Sequence, residues 1–380
     1  MKKIICAFLA PVLVSFSMIA GCAAKQTSSG SSAASASSLP AVSSSSQGAA
    51  SNAGPTQTDV VPDASKNAYS EFYSAGKPAF IVPGLKEGLV PQGMCYVPSE
   101  KYFVISYYLE DKSPSVLAVV DAKSGKLLKS VNLSNEDGTP YNGHAGGVAA
   151  SDRGIWVMSD GVAHRIQITD LNVAPDLGSV KFTDHFQTPT RASLGNCVDG
   201  VLWIGDFYTA GGSYNTDESH HMTAPDGSNH FSWVVGYKLD SSAKNELSPS
   251  HYRDNFTEAT PDYILSIPSK IQGMTRLSSG EFILSESYGR KNDSHLLIYP
   301  NVLKTAPAKN VKINDTSVPL WFLDDKVLAK SITAPPMTES IESMGQDIYV
   351  LFESGASIYR DTASHPMDEL YQLSPLSAAN

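Results

Sequence analysis

The chain has 380 residues, 42% of them hydrophobic and 17% charged, with a formal net charge of -10. This balance suits a globular domain with a large core and argues against a chain that is disordered throughout. No basic run occurs, so nucleic acid, which requires a cationic face to neutralise phosphates, is not an expected partner.

The first residues read as a targeting segment. Lys2 and Lys3 precede an apolar stretch, Ile4 to Ala20, that ends in Ile19-Ala20-Gly21-Cys22. That ending resembles the lipobox of bacterial lipoproteins. The resemblance implies removal of residues 1–21, an acylated (diacylglyceryl and palmitoyl) Cys22, and a protein held on the extracytoplasmic face of the cell membrane, in the cell envelope. Its lipid bilayer partner would then be reached by the acyl chains, each buried CH₂ adding about 0.8 kcal/mol. The alternative is an ordinary secretory signal in which Cys22 is incidental.

Residues 22–62 follow, dominated by Ser, Ala and Gly. Such a segment buries too little surface to offset its ordering entropy and is expected to act as a tether. About 40 flexible residues have an end-to-end distance of roughly 35 Å. Ala64 to Tyr73 is expected to form a brief helix, and residues 63–380 one folded domain.

Within that domain a phrase recurs, clearest in Ile271 to Tyr288 (IQGMTRLSSGEFILSESY). Turn signals at Ser99-Glu100-Lys101, Gly154, Asp199-Gly200, Ser279-Gly280 and Gly345 are each followed by an aromatic residue: Phe103, Trp156, Trp203, Phe282 and Tyr349. The runs around them alternate with period two, and helical periodicity is nearly absent. Repeats spaced by roughly 50 to 75 residues predict an all-β fold, a β-propeller of about five four-stranded blades. A jelly roll or sandwich would explain the alternation but not the repeated phrase. The last repeat offers Tyr349 to Ser354 and Glu369 to Leu373. Ala79 to Leu85 is therefore expected to supply the missing strand and close the ring. Cys95 and Cys197, at equivalent points of their repeats, are expected to remain free thiols.

In a propeller the innermost strand starts at one face and the next strand returns to it, so both ends ring the channel mouth. The strand starts carry Gln92, His144, Gln272 and Glu339; the returning ends carry Tyr107, Asp160, Asp206, Glu286 and Glu353. These residues form the predicted binding site for a small molecule, glycan or protein partner. Asp160, Asp206, Glu286 and Glu353 place carboxylates at equivalent points, which points to a cation site or to acid/base groups, since like charges cannot all ionise freely. Oxygen ligands favour Ca²⁺ or Mg²⁺ over zinc. The architectural alternative is that they cap strand ends. The insertion Phe207 to Phe231 carries His220, His221 and His230, a weak transition-metal signal, and Arg191, Tyr288 and Arg290 belong to the same rim, where they are candidates to grip an anionic group.

No nucleophile elbow, phosphate loop, zinc-protease helix or dinucleotide fingerprint is present, so no catalytic residue is assigned. QGMTRLSSGEFILSES resembles the repeat of the propeller group that includes gluconolactonases, paraoxonase-like esterases and strictosidine-synthase-like proteins. The resemblance spans most of Gln92 to Leu373 and implies a divalent cation held in the channel by Glu, Asp and Asn side chains. Asp160, Asp206, Glu286 and Glu353 occupy comparable strand ends, whereas a matching Asn pair is not evident. The leading expectation is ligand binding at the channel mouth. The alternative is a cation-dependent hydrolase of a lactone, ester or glycoside.

Overall fold

The computed structural model describes residues 54–61, 66–212, 214–253 and 258–374. The signal segment, Cys22 and the tether up to residue 53 lie outside them. Among the described residues no helix is long and apolar enough to cross a membrane.

The turn signals do what their residues dictate. Asp160 and Gly161 both take positive φ, 51° and 80°, in the two-residue loop that joins Gly154–Ser159 to Val162–Gln167. This geometry matches the twist of a β-hairpin, and Asp-Gly is suited to it. Repeated hairpins of this kind generate five four-stranded antiparallel blades. Blade 1 is Val90–Val97, Tyr102–Tyr108, Val116–Asp121 and Leu127–Ser134. Blade 2 is Gly147–Ala150, Gly154–Ser159, Val162–Gln167 and Asp184–Gln187. Blade 3 is Leu194–Val198, Val201–Gly205, Ser232–Lys238 and Tyr263–Ile267. Blade 4 is Ile271–Arg276, Phe282–Glu286, Ser294–Tyr299 and Lys330–Ala334. Extra strands cover the outer edges of the first three blades, as Gly178–Lys181 does on blade 1.

Blade 5 combines Thr338–Met344, Asp347–Phe352 and Glu369–Leu373 with the N-terminal strand Gly76–Ile81, so the ring closes as expected. The closing strand starts three residues earlier than predicted and ends four residues earlier. Pro83 has no N–H to give a ladder, and Gly84 turns the chain away at φ 81°. The predicted brief helix is a short one, Ser70–Ala75, after a tighter turn at Lys66–Tyr69.

Each post-turn aromatic is buried and packs between blades. Phe103 meets Tyr349 at 4.9 Å between ring centres, and Trp203 meets Phe282 edge-on at 5.6 Å. The glycine in the recurring phrase has an equally specific cause. A Cβ on Gly93 would lie 2.5 Å from the backbone nitrogen of Val148 in blade 2, and one on Gly273 would lie 2.7 Å from the carbonyl oxygen of Glu339 in blade 5. The innermost strands touch backbone to backbone, and only glycine allows that approach.

Residues 54–61, which the sequence places in the tether, instead bind the propeller. The backbone N–H groups of Val60 and Val61 donate to Asp368 Oδ2 at 2.7 and 2.8 Å. Gln57 bridges Ile81, Gly125 and the N–H of Leu127. Polar groups of this low-hydrophobicity stretch pair with edge groups of blades 1 and 5, and Val60 packs against the apolar cluster there, which gives it an ordered place.

Candidate functional site at the channel mouth

The innermost strands of blades 1, 4 and 5 each break register at their first turn: between Pro91 and Met94, between Ile271 and Gly273, and between Thr338 and Ile341. Such irregularities re-aim side chains. The residues they carry, Gln92, Gln272 and Glu339, line one cavity of about 450 Å³ together with His144, Asp160 and Glu353.

Its floor is a connected polar network. Glu339 and Glu353 hydrogen-bond to each other. Gln92 Nε2 donates to Glu353 Oε2 at 3.2 Å, and Gln272 Nε2 donates to Glu339 Oε1 at 3.0 Å. Gln92 Oε1 pairs with His144 Nε2 at 2.7 Å. With the Gln92 amide so oriented, His144 presents N–H there and keeps Nδ1 as an acceptor. The His144 ring stacks on Tyr108 at 4.5 Å, and the Tyr108 and Tyr359 hydroxyls pair at 2.7 Å.

Burial dominates the protonation of this floor. It lifts Glu353 to about 7, against weaker lowering by the Glu339 and Gln92 hydrogen bonds and by the Arg290 charge. It lifts Glu339 well above the usual carboxylate range, with the Glu353 charge adding to the rise. The pair therefore shares a proton near neutral pH. Burial also pushes His144 down, so its imidazole is neutral. Tyr359 is pushed up to about 12 for the same reason.

Three predicted residues do not reach the cavity. Tyr107 is buried among the apolar side chains near blades 1 and 5, and strand alternation puts Tyr108 in the cavity instead. Glu286 stands opposite Ile271 and His295 in its sheet, and Ser287 and Tyr288 beyond it line the mouth. Asp206 is fully buried and accepts from the backbone N–H of Arg191 at 2.7 Å, that of Trp233 at 3.0 Å, and His220 Nδ1 at 2.7 Å. It clamps the base of the Phe207–Phe231 insertion, which is the architectural role.

The four carboxylates of the predicted cation site are consequently separated, with Asp160 and Glu353 at the cavity and the other two turned away. Among the described residues no group of three or more His, Cys, Asp or Glu side chains is arranged to hold a metal. The floor does not fit Ca²⁺ or Mg²⁺ either, because both glutamines turn amide N–H groups toward the carboxyl pair where oxygen ligands would be required. The three insertion histidines also part company: His220 with Asp206, His221 with Thr216, His230 with Ser266. Cys95 and Cys197 are free.

Tyr108, Phe207, Tyr214, Met337 and Tyr359 line the cavity without having been singled out. Tyr359 lies in the long link between Asp347–Phe352 and Glu369–Leu373. Its length was the available signal, since such loops in compact domains tend to be functional.

No protein-family model matches the chain, and no curated protein does. Solved structures similar to it include glutaminyl cyclase from Myxococcus xanthus, at 10% identity over 75% of this chain and 90% of that one, with a TM-score of 0.37. The calcium-binding protein regucalcin from Agrobacterium tumefaciens is 10% identical over 79% and 94%, TM-score 0.35. A GH43_1 enzyme from Xanthomonas citri is 11% identical over 80% and 92%, TM-score 0.39. At these scores the likenesses carry no argument about ligand or reaction, and the propeller assignment stands on the strand pairing itself.

Proposed function

We propose that this protein binds a small polar molecule in the channel-mouth cavity, on a propeller that an acylated Cys22 anchors to the extracytoplasmic face of a membrane. The observation that carries the binding reading is the Glu339–Glu353 pair bracketed by Gln92 and Gln272. Burying two carboxyl groups costs stability, and apolar residues of similar volume would usually serve packing better. Groups kept at such a cost beneath an open cavity of about 450 Å³, a volume typical of small-molecule sites, are best explained by a ligand that uses them.

A thermal-shift panel of mono- and disaccharides, hydroxy acids and amino acids tests this. A true ligand at about 100 times its Kd stabilises the fold by about 2.7 kcal/mol. Glu339→Gln and Gln92→Ala should shrink that gain. Equal stabilisation of both variants and the parent protein would place the ligand elsewhere, and no stabilisation by any panel member would reject the reading. Membrane fractionation of Cys22→Ser tests the anchor: release from the membrane, or a block in processing, is expected, and unchanged fractionation and mass would reject lipidation.

The second reading is hydrolysis. A carboxyl pair that exchanges a proton near neutral pH has the acid/base character such chemistry uses. Two directly hydrogen-bonded carboxyls leave no room for a sugar between them, since glycosidases separate theirs by about 5 Å or more, so lactones and esters are the relevant substrates. Ester or lactone turnover that disappears in Glu353→Gln would favour this reading over simple binding.

A further inference from the structure

The rim of the cavity differs in character from its floor. Two guanidinium groups, Arg191 and Arg290, line it. Among the described residues the Arg191 side chain has no hydrogen-bond or ion-pair partner. Arg290 lies over the Tyr359 ring at 4.7 Å and donates through Nη1 to Thr362 Oγ1 at 3.0 Å, which leaves the rest of its fork free. The only other charged side chain on the lining, apart from the proton-sharing pair, is Asp160, whose side-chain partner is Ser159. Both arginines are exposed at the cavity mouth, Arg191 without a partner and Arg290 with part of its fork unused, and such planar forks suit a carboxylate from outside.

The rim also presents ring faces. Tyr214 and Tyr288 are 51% and 44% exposed, and both line the cavity. Phe207 stands between them, 5.1 Å from Tyr214 edge-on and 6.1 Å from Tyr288. The exposed Tyr214 and Tyr288 rings offer apolar surface to the C–H face of a saturated ring, with Phe207 buried behind them. Below them, Gln92, Gln272 and the carboxyl pair supply donors and acceptors suited to hydroxyl groups.

Resting on the binding reading above, we infer that the ligand is a sugar acid. Its ring lies against the exposed Tyr214 and Tyr288 side chains, its hydroxyls meet the glutamine and carboxyl floor, and its single carboxylate is held by the rim arginines. A phosphate ester fits less well. It brings more charge close to a carboxyl pair, and no lysine lines the cavity to receive it.

Calorimetry on the purified full-length protein tests the inference with D-glucuronate and D-galacturonate against D-glucose, D-galactose and methyl galacturonate ester. Either uronate is expected to bind at least about tenfold more tightly than its neutral counterparts, with the gap closing at high salt. Arg191→Gln with Arg290→Gln should remove that preference for the uronates over the neutral sugars. Arg191→Lys, which keeps the charge, should retain most of it and controls for misfolding together with the melting temperature. Equal affinity for acid and neutral sugars, or unchanged uronate binding in the double variant, would overturn the sugar-acid inference and leave the binding reading standing. Failure of every sugar to bind would also overturn it, and the wider panel above then decides the binding reading separately.

Discussion

Replacing Glu353 by Gln should make the protein less sensitive to rising pH. Glu353 ordinarily titrates at 4.5 and is lifted to about 7 in the fold, chiefly by burial. A carboxyl group raised in this way binds its proton more tightly folded than unfolded. Its stabilising contribution is therefore complete below about 4.5 and declines as pH rises to about 7, where it levels off. At 1.36 kcal/mol per pH unit that interval corresponds to about 3 kcal/mol, an upper figure because the cavity admits water to one side of the pair. Glu339, raised further, keeps the shared proton over the same window. The amide of Glu353→Gln can still donate to Glu339 and carries no charge to desolvate. Urea unfolding of both proteins from pH 5 to 8 measures the difference directly. The variant should gain on the parent by up to about 3 kcal/mol across that range, mostly between pH 5 and 7. Parallel stability curves would show that the pair is solvated and does not hold a shared proton.

Other substitutions test the frame around the site. Gly273→Ala would push a methyl group to within 2.7 Å of the Glu339 carbonyl oxygen and 2.9 Å of the Ile341 nitrogen, so a loss of about 1–3 kcal/mol in chemical denaturation is expected. An unchanged midpoint would contradict the close approach of blades 4 and 5. Glu246→Ala strands the buried Arg165 guanidinium, now held at 2.6 Å, and leaves the Arg153 N–H without its acceptor. Loss of such a buried partner costs about 3–5 kcal/mol, and a melting temperature close to that of the parent would refute the assignment. Deleting residues through Val61 should lower the melting temperature relative to deletion through Ala53, because Asp368 loses two backbone donors and Leu127 loses Gln57. Equal melting temperatures would return residues 54–61 to the tether.

Much of the architecture was legible because it is written in local, repeated chemistry. A period-two apolar pattern, a turn and an aromatic residue recur through the chain, and a unit that cannot bury its own faces must stack on copies of itself. That logic led to the five blades and the closing N-terminal strand, and it pointed to the channel mouth, where the cavity lies. It also led to Gln92, His144, Asp160, Gln272, Glu339 and Glu353, all of which line the cavity. Local pattern could not decide which way a side chain turns at a strand end. Tyr107 and Tyr108 are adjacent and similar, and one residue of pleat sends the first into the core and the second into the cavity. Asp206 and Glu353 occupy equivalent points of the repeat. The first is taken by three donors, one of them His220 from an insertion, whereas the second meets Glu339 from its own blade and Gln92 from the next. The repeat placed carboxylates in a ring, but whether they converge on a cation, share a proton or clamp a loop depends on partners distant in sequence. Gln92 and Glu353 are 261 residues apart, and only closure of the ring brings them within 3.2 Å.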